Sequence, residues 1–264
     1  MTDSLSQVSP SVSADALRLN EELYREARSI PPQELQSFTD LLKSLAAARG
    51  YNKEYTADWI PHRYRLYLTT QWIERYMATL RPPLTCVELG GMTIVTALLR
   101  GYFEKAMWKE VSGDLRDPWQ LESGSIDFIV CAEVIEHLSD PAVGVQDTFR
   151  MTGLRKVLAE CYRVLKSSGY LLVTTPNATS VVVLRSLLAG YPPWVYELHI
   201  REYTVHELWR ELTQIGFGIS EFRTIHCLTV DQNTDFSPYF QLLLDGNHET
   251  SNRGDDIFFM ARKP

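Results

Sequence analysis

Five short stretches carry side chains able to do chemistry: "VELGG" (87–91), "SGDLRDP" (112–118), "CAEVIEHLSDP" (131–141), "TTPN" (174–177) and "YPPWVYELHIREYT" (191–204). In the first, Glu88 is followed by Gly90 and Gly91. Glycine lets backbone approach a ligand with no Cβ between them, and a following helix presents unpaired N–H groups. The alternative is a plain tight turn. Asp114 in the second stretch could accept from a ribose hydroxyl pair or an adenine amino group, or simply form a turn. In the third, two carboxylates, Glu133 and Glu136, stand three apart beside His137. That pattern suggests a metal, but metal cages draw ligands from converging segments, and none is expected here. His137 and His199 are the residues able to take a proton from an acceptor; His137 could equally brace its loop. Tyr191, Trp194, Tyr196, His199, Arg201 and Tyr203 crowd the last stretch. Together they would suit an apolar or sugar-like acceptor carrying an anionic group, or pack as an ordinary loop.

These residues need strands to position them. "TCVELGG", "SIDFIVCA" and "YLLVTTPN" read as buried strands, separated by helical patterns such as "LRKVLAECYRVLKSSG", with Leu154, Val157, Leu158, Cys161, Val164 and Leu165 on one face. "TVHELWRELTQIGF" carries a capping box from Thr204 to Glu207 and a stop at Gly216. Strands alternating with helices imply an α/β fold, a doubly wound, mostly parallel sheet whose ligands sit at the carboxyl ends of the strands. The Ser-rich residues 1–15 read as a disordered tail, and 16–81 as an N-terminal helical cap. Residues 82–264 read as the sheet domain, with an acceptor-side insertion at about 178–203.

Composition narrows the partners. A net charge of −7 argues against a nucleic-acid binder, which needs clustered Lys and Arg. The four cysteines are too far apart for a zinc cage or a disulfide framework and read as small buried hydrophobes. No apolar run would span a bilayer and the N-terminus has no secretory core, so a cytoplasmic location is expected. A nicotinamide enzyme is disfavoured because the three-glycine fingerprint is missing.

The order "VELGG", "GDLRDPWQLESGSIDFIVCAEVIEHLSDP" and "LAECYRVLKSSGYLLVTTPN", reinforced by "HIREYTVHELWRELTQIGF", resembles the class I S-adenosylmethionine-dependent methyltransferases. Within them it is most similar to the broad group holding ubiquinone-pathway-type O-methyltransferases and methyltransferases of bacterial glycan and natural-product pathways. The resemblance implies a Rossmann-like seven-stranded sheet with an antiparallel last strand, "DDIFFMARKP", and S-adenosylmethionine as cofactor. It implies Glu88, Gly90 and Gly91 at the methionine part, Asp114 and Leu115 at the adenine, and Glu133 and Val134 beneath the sulfonium. Asp127 is expected to be structural.

Two departures stand out. The family's acid is followed by G-x-G-x-G, and here only Gly90 and Gly91 remain. The interval from Gly91 to Gly113 has room for about one helix and one strand, so the second strand should be shortened or merged with the next. Either Asp114 or Glu104 then takes over the ribose, or the cofactor is held weakly. The expected activity is methyl transfer to a small-molecule acceptor, most often on oxygen. The alternative is a catalytically silent binding or scaffold protein on the same fold. Trp194, Tyr196, Arg201 and Tyr203 are the expected acceptor wall.

Overall fold

A computed structural model describes residues 12–48, 53–91, 94–140, 151–193 and 195–264. Three helices open the chain: α1 (Ala14–Arg28), α2 (Pro32–Ala48) and α3 (Lys53–Met77). They are followed by β1 (Leu84–Leu89), α4 (Ile94–Tyr102), β2 (Ala106–Val111), β3 (Ile126–Ala132), α5 (Thr152–Val164) and β4 (Leu165–Pro176). The chain closes with α6 (Val181–Leu188), α7 (Val205–Ile215), β5 (Gly218–Ile225), α8 (Ser237–Asp245) and β6 (Asp256–Arg262).

Six strands form one sheet in the order β2-β1-β3-β4-β6-β5. β2, β1, β3 and β4 are parallel neighbours, and β6 runs antiparallel to both β4 and β5. The antiparallel last strand is therefore as expected. The seven-stranded count is not: six strands stand among the described residues, because only α4 and β2 lie between the glycine turn and Gly113. The shortened interval leaves one strand beside β1 where the resemblance implied two. The tail boundary also moves, since Ser13 caps α1 and helix begins at Ala14 rather than beyond residue 15; residues 1–11 lie outside the described residues.

Alternation along the strands explains the layering. Cys86, Phe128, Leu172 and Phe258 face one side, where Leu42 of α2, Ile73 of α3 and Leu98 of α4 bury them. Val87, Ile129, Val173 and Phe259 face the other, beneath Leu158 of α5 and Leu212 of α7. Strands buried on both faces must be apolar throughout, which is why they are legible as continuous runs. α2 and α3, with α4, form one of these two layers. Trp72 of α3 packs at a tilt 5.5 Å from Phe258 in the sheet, and each such side chain contributes roughly 1.5–3 kcal/mol by burial. A third, smaller core joins Tyr24 of α1, Val181 of α6 and Phe240 of α8. Thr204 and Glu207 form the capping box of α7, and Gly216 ends it in a left-handed conformation. The four cysteines are buried thiols. Among the described residues no helix is long and apolar enough to cross a membrane.

Candidate active site

The carboxyl edge of β1, β3 and β4 carries the expected residues. β1 ends in Gly90 and Gly91, with φ of +89° and +104°, a region L-residues rarely adopt. The Gly90 N–H donates to the Val111 carbonyl at the end of β2, at 2.9 Å. A Cβ at Gly90 would come within 3.2 Å of Val134 Cγ2, so the turn after β1 lies directly on the turn after β3. Glu88 is buried, and in register it stands opposite Glu110 of β2.

Glu133 adopts φ +55° without being glycine, a conformation costing about 1–2 kcal/mol. Two bonds to β4 hold it there: its N–H donates to the Thr174 carbonyl, and its carboxylate accepts from Thr174 Oγ1 at 2.8 Å. The kink turns the chain into a short 3-10 turn, Ile135–His137. Glu136 is completely buried. Its Oε2 accepts from Thr175 Oγ1 at 2.9 Å, whereas Oε1 has no hydrogen-bond partner among the described residues. Burial, followed by repulsion from Glu133, raises its carboxyl well above the usual range.

His199 arrives from a distant segment for a backbone reason. The Glu136 carbonyl accepts from the N–H groups of both Ile200 and Arg201, pinning that loop onto the 3-10 turn. The His137 and His199 rings then meet edge to face at 5.0 Å, with Tyr196 5.4 Å beyond His199. His199 Nδ1 lies 3.0 Å from Glu202 Oε1, which also accepts from the Val195 N–H. Burial, then the neighbouring His199, lowers the pKa of His137, with the Leu198 backbone pulling the other way. One donor atom from each of Glu136, His137 and His199 lies within 4.8 Å of the others, the convergence that a single stretch of sequence could not reveal.

This cluster forms one wall of a cavity of about 490 Å³ over the ends of β3 and β4. Tyr196 and Pro176 contribute to it, and α3 adds His62 and Arg65. Arg65 is largely buried, which by itself would lower its pKa. Glu133, 3.8 Å from Nη1, and then Asp256 more than offset this and hold the guanidinium above its ordinary value.

Other expected residues sit differently. Asp114 is gripped by Arg116, which donates Nε at 2.7 Å to one carboxylate oxygen and Nη2 at 2.5 Å to the other. These bonds pull its carboxyl down to about 2. Arg116 also donates to the Ser139 carbonyl at 2.9 Å, lacing the loop after β2 to the loop after β3. Leu115 is buried in the core, its carbonyl accepting from Trp119 Nε1. Arg201 pairs with Glu207 and lies over the Tyr203 ring, and Tyr203 is buried with its hydroxyl donating to the Ile135 carbonyl. Neither Arg201 nor Tyr203 lines the cavity. Trp194 lies outside the described residues. Glu104 lies at the amino end of the strands beside Pro82 and Leu84, the opposite rim, and so cannot serve a ribose at the glycine turn. Asp127 accepts from the Thr85 N–H and pairs with Lys166 at 2.8 Å, a bracing role.

Sequence reading missed His62, Arg65 and Glu110. The first two are three apart on a helix read only as part of the N-terminal cap, where the signal was a cation and an imidazole on one helical face. Glu110 is the acid nearest the end of the strand beside β1.

Comparison with known proteins follows this geometry. A family model described as a methyltransferase domain matches residues 61–221, more than half of the chain. A probable S-adenosylmethionine-dependent methyltransferase of Mycolicibacterium smegmatis is 31% identical over 101 residues, covering 38% of this chain and 32% of that protein. One from Mycobacterium tuberculosis is 33% identical over 97 residues, covering 37% and 28%. The matches span only about a third of these relatives' length. Among solved structures, a SAM-dependent methyltransferase from Archaeoglobus fulgidus aligns with TM-score 0.52 at 15% identity, over 75% of this chain and 94% of that one. A possible histamine N-methyltransferase from Thermotoga maritima aligns at 0.50 and 17%, over 84% and 100%. At such identity these structures speak for the fold.

Proposed function

The chain belongs to the methyltransferase domain family, and from that premise we propose that it transfers a methyl group from S-adenosylmethionine to a hydroxyl oxygen of a small-molecule acceptor. The observation that carries this reading is the cavity over β3 and β4, where Glu136, His137 and His199 converge beside the Gly90–Val134 contact.

The glycine turn fits the cofactor. A Cβ at Gly90 would sit tightly against Val134 at 3.2 Å and the φ of +89° disfavours any L side chain, so the backbone of this turn is left without one. Glu88, Gly90, Gly91, Glu133 and Val134 would hold the methionine part, with Glu110 and the Asp114 loop toward the nucleoside. When bound, S-adenosylmethionine supplies a methyl on a positively charged sulfur, already activated for displacement. What remains for the protein is alignment, exclusion of water and management of the acceptor's proton. Tyr196 and Pro176 give the cavity apolar wall, and the Glu136–His137–His199 cluster faces the hydroxyl to be deprotonated. Arg65, rather than Arg201, is the cation positioned to meet an anionic group on the acceptor.

One observation favours a second reading, a silent binding protein: the sheet lacks a strand next to β2, and Asp114 is already engaged by Arg116. Calorimetric titration with S-adenosylhomocysteine separates the two. Stoichiometric binding, followed by incorporation of labelled methyl into an acceptor from a small-molecule library, supports the enzyme. Absence of heat and of thermal stabilisation would overturn it.

A further inference from the structure

We propose that Glu136, His137 and His199 form a binding site for one divalent first-row transition-metal ion, open toward the cavity so that an acceptor hydroxyl completes its coordination. The inference deepens the hydroxyl-methylation reading and rests on it for the ion's role, though not for the ion's binding.

The first support is geometric. One oxygen and two imidazole nitrogens lie within 4.8 Å of one another, and small side-chain rotations bring such donors to the roughly 2.0–2.2 Å bonds that these metals make. Two histidines and one carboxylate on adjoining turns form a facial set with positions left open. The second support is the state of Glu136. Its Oε1 is buried and has no hydrogen-bond partner among the described residues. A stranded buried oxygen is costly, and a cation bound there removes the cost. The third is the outer shell. Glu202 sits at Nδ1 of His199, which fixes the tautomer and leaves Nε2 as the free donor. Carboxylates and carbonyls behind metal-binding histidines do this routinely. Arg65, on the same cavity, pairs with Glu133 at 3.8 Å rather than with the triad.

A bound ion accounts for the acceptor's proton in a balanced way. The coordinated hydroxyl oxygen becomes acidic and its proton leaves to water. The oxygen's electron pair then forms the bond to the methyl carbon, and the pair of the broken C–S bond stays on sulfur. No oxidant or further reactant is required.

The test uses the full chain, stripped with chelator, without S-adenosylmethionine or acceptor. Mn2+ is titrated and the free ion followed by its electron paramagnetic resonance signal, with Zn2+ competition as a second reading. One ion per chain is expected, with affinity falling at least tenfold in Glu136→Gln and in His199→Ala. His137→Ala alters a half-exposed ring and serves as the third variant should Glu136→Gln fail to fold. Failure to bind a stoichiometric ion, or equal binding by folded variants, overturns the site. Metal binding without S-adenosylhomocysteine binding would leave the site standing and sink the methyl-transfer reading; the reverse would sink only the site.

Discussion

Asp114 and Glu136 are both carboxylates on loops at the carboxyl edge of the same sheet, yet their chemistry is spent in opposite ways. Asp114 has both oxygens engaged by one guanidinium at the surface. Glu136 is sealed from solvent with one oxygen satisfied and the other bare. The first arrangement is complete without a ligand and holds two loops together through Arg116. The second is incomplete until something binds. An unmatched buried oxygen calls for an explanation, and a bound cation is one that also uses the neighbouring imidazoles.

The sharpest way to break this contrast is to remove the unmatched side. Glu136→Gln is expected to lower kcat/KM for methyl transfer at least about 100-fold, while S-adenosylhomocysteine affinity measured by calorimetry stays close to that of the unaltered protein. A variant retaining full activity would show the bare oxygen to be incidental. Next comes the glycine turn. Gly90→Ala, with a Cβ 3.2 Å from Val134 and φ of +89°, should weaken S-adenosylhomocysteine about tenfold, or about 1.4 kcal/mol. Gly91→Ala has open space around its Cβ and should lose less, so equal losses would place the effect in backbone strain alone.

A pair remote from the site tests how far satisfied carboxylates act only on stability. Hydrogen bonds from Arg155 hold the buried Glu211 below the usual carboxylate range. Because Arg155 is 40% exposed, Glu211→Gln should cost only about 1 kcal/mol in urea unfolding at pH 7. A depressed folded pKa stabilises above the unfolded value of about 4.3. The deficit should therefore shrink as pH falls below that value and vanish once both states are protonated. A deficit constant from pH 7 to pH 3 would contradict the charge account. The smallest effect is expected at Asp114→Ala, no more than about threefold in S-adenosylhomocysteine affinity, since the ion pair is exposed and screened. A much larger loss would return Asp114 to the nucleoside.

Much of the scaffold was legible because burial on both faces forces uninterrupted apolar strands, and because the capping box at Thr204 and the stop at Gly216 are local devices. The missing strand was also legible, as a count of residues between Gly91 and Gly113. What escaped were meetings between segments far apart in the chain. His199 reaches His137 only because the Glu136 carbonyl takes two N–H groups from the later loop, a bond with no signature in residue type. Arg201 and Tyr203 read as acceptor wall, but Glu207, six residues on, and Ile135, 68 residues back, claim them first. The Asp114–Arg116 grip was within reach, since an acid and an arginine two apart in a loop can close on each other.

His62 and Arg65 enter the cavity from α3, and the family match begins at residue 61, partway along that helix. Both residues that α3 lends to the cavity therefore stand just inside the start of the matched region. Changing that single turn of α3 would alter two cavity residues and leave the sheet and the glycine bend untouched.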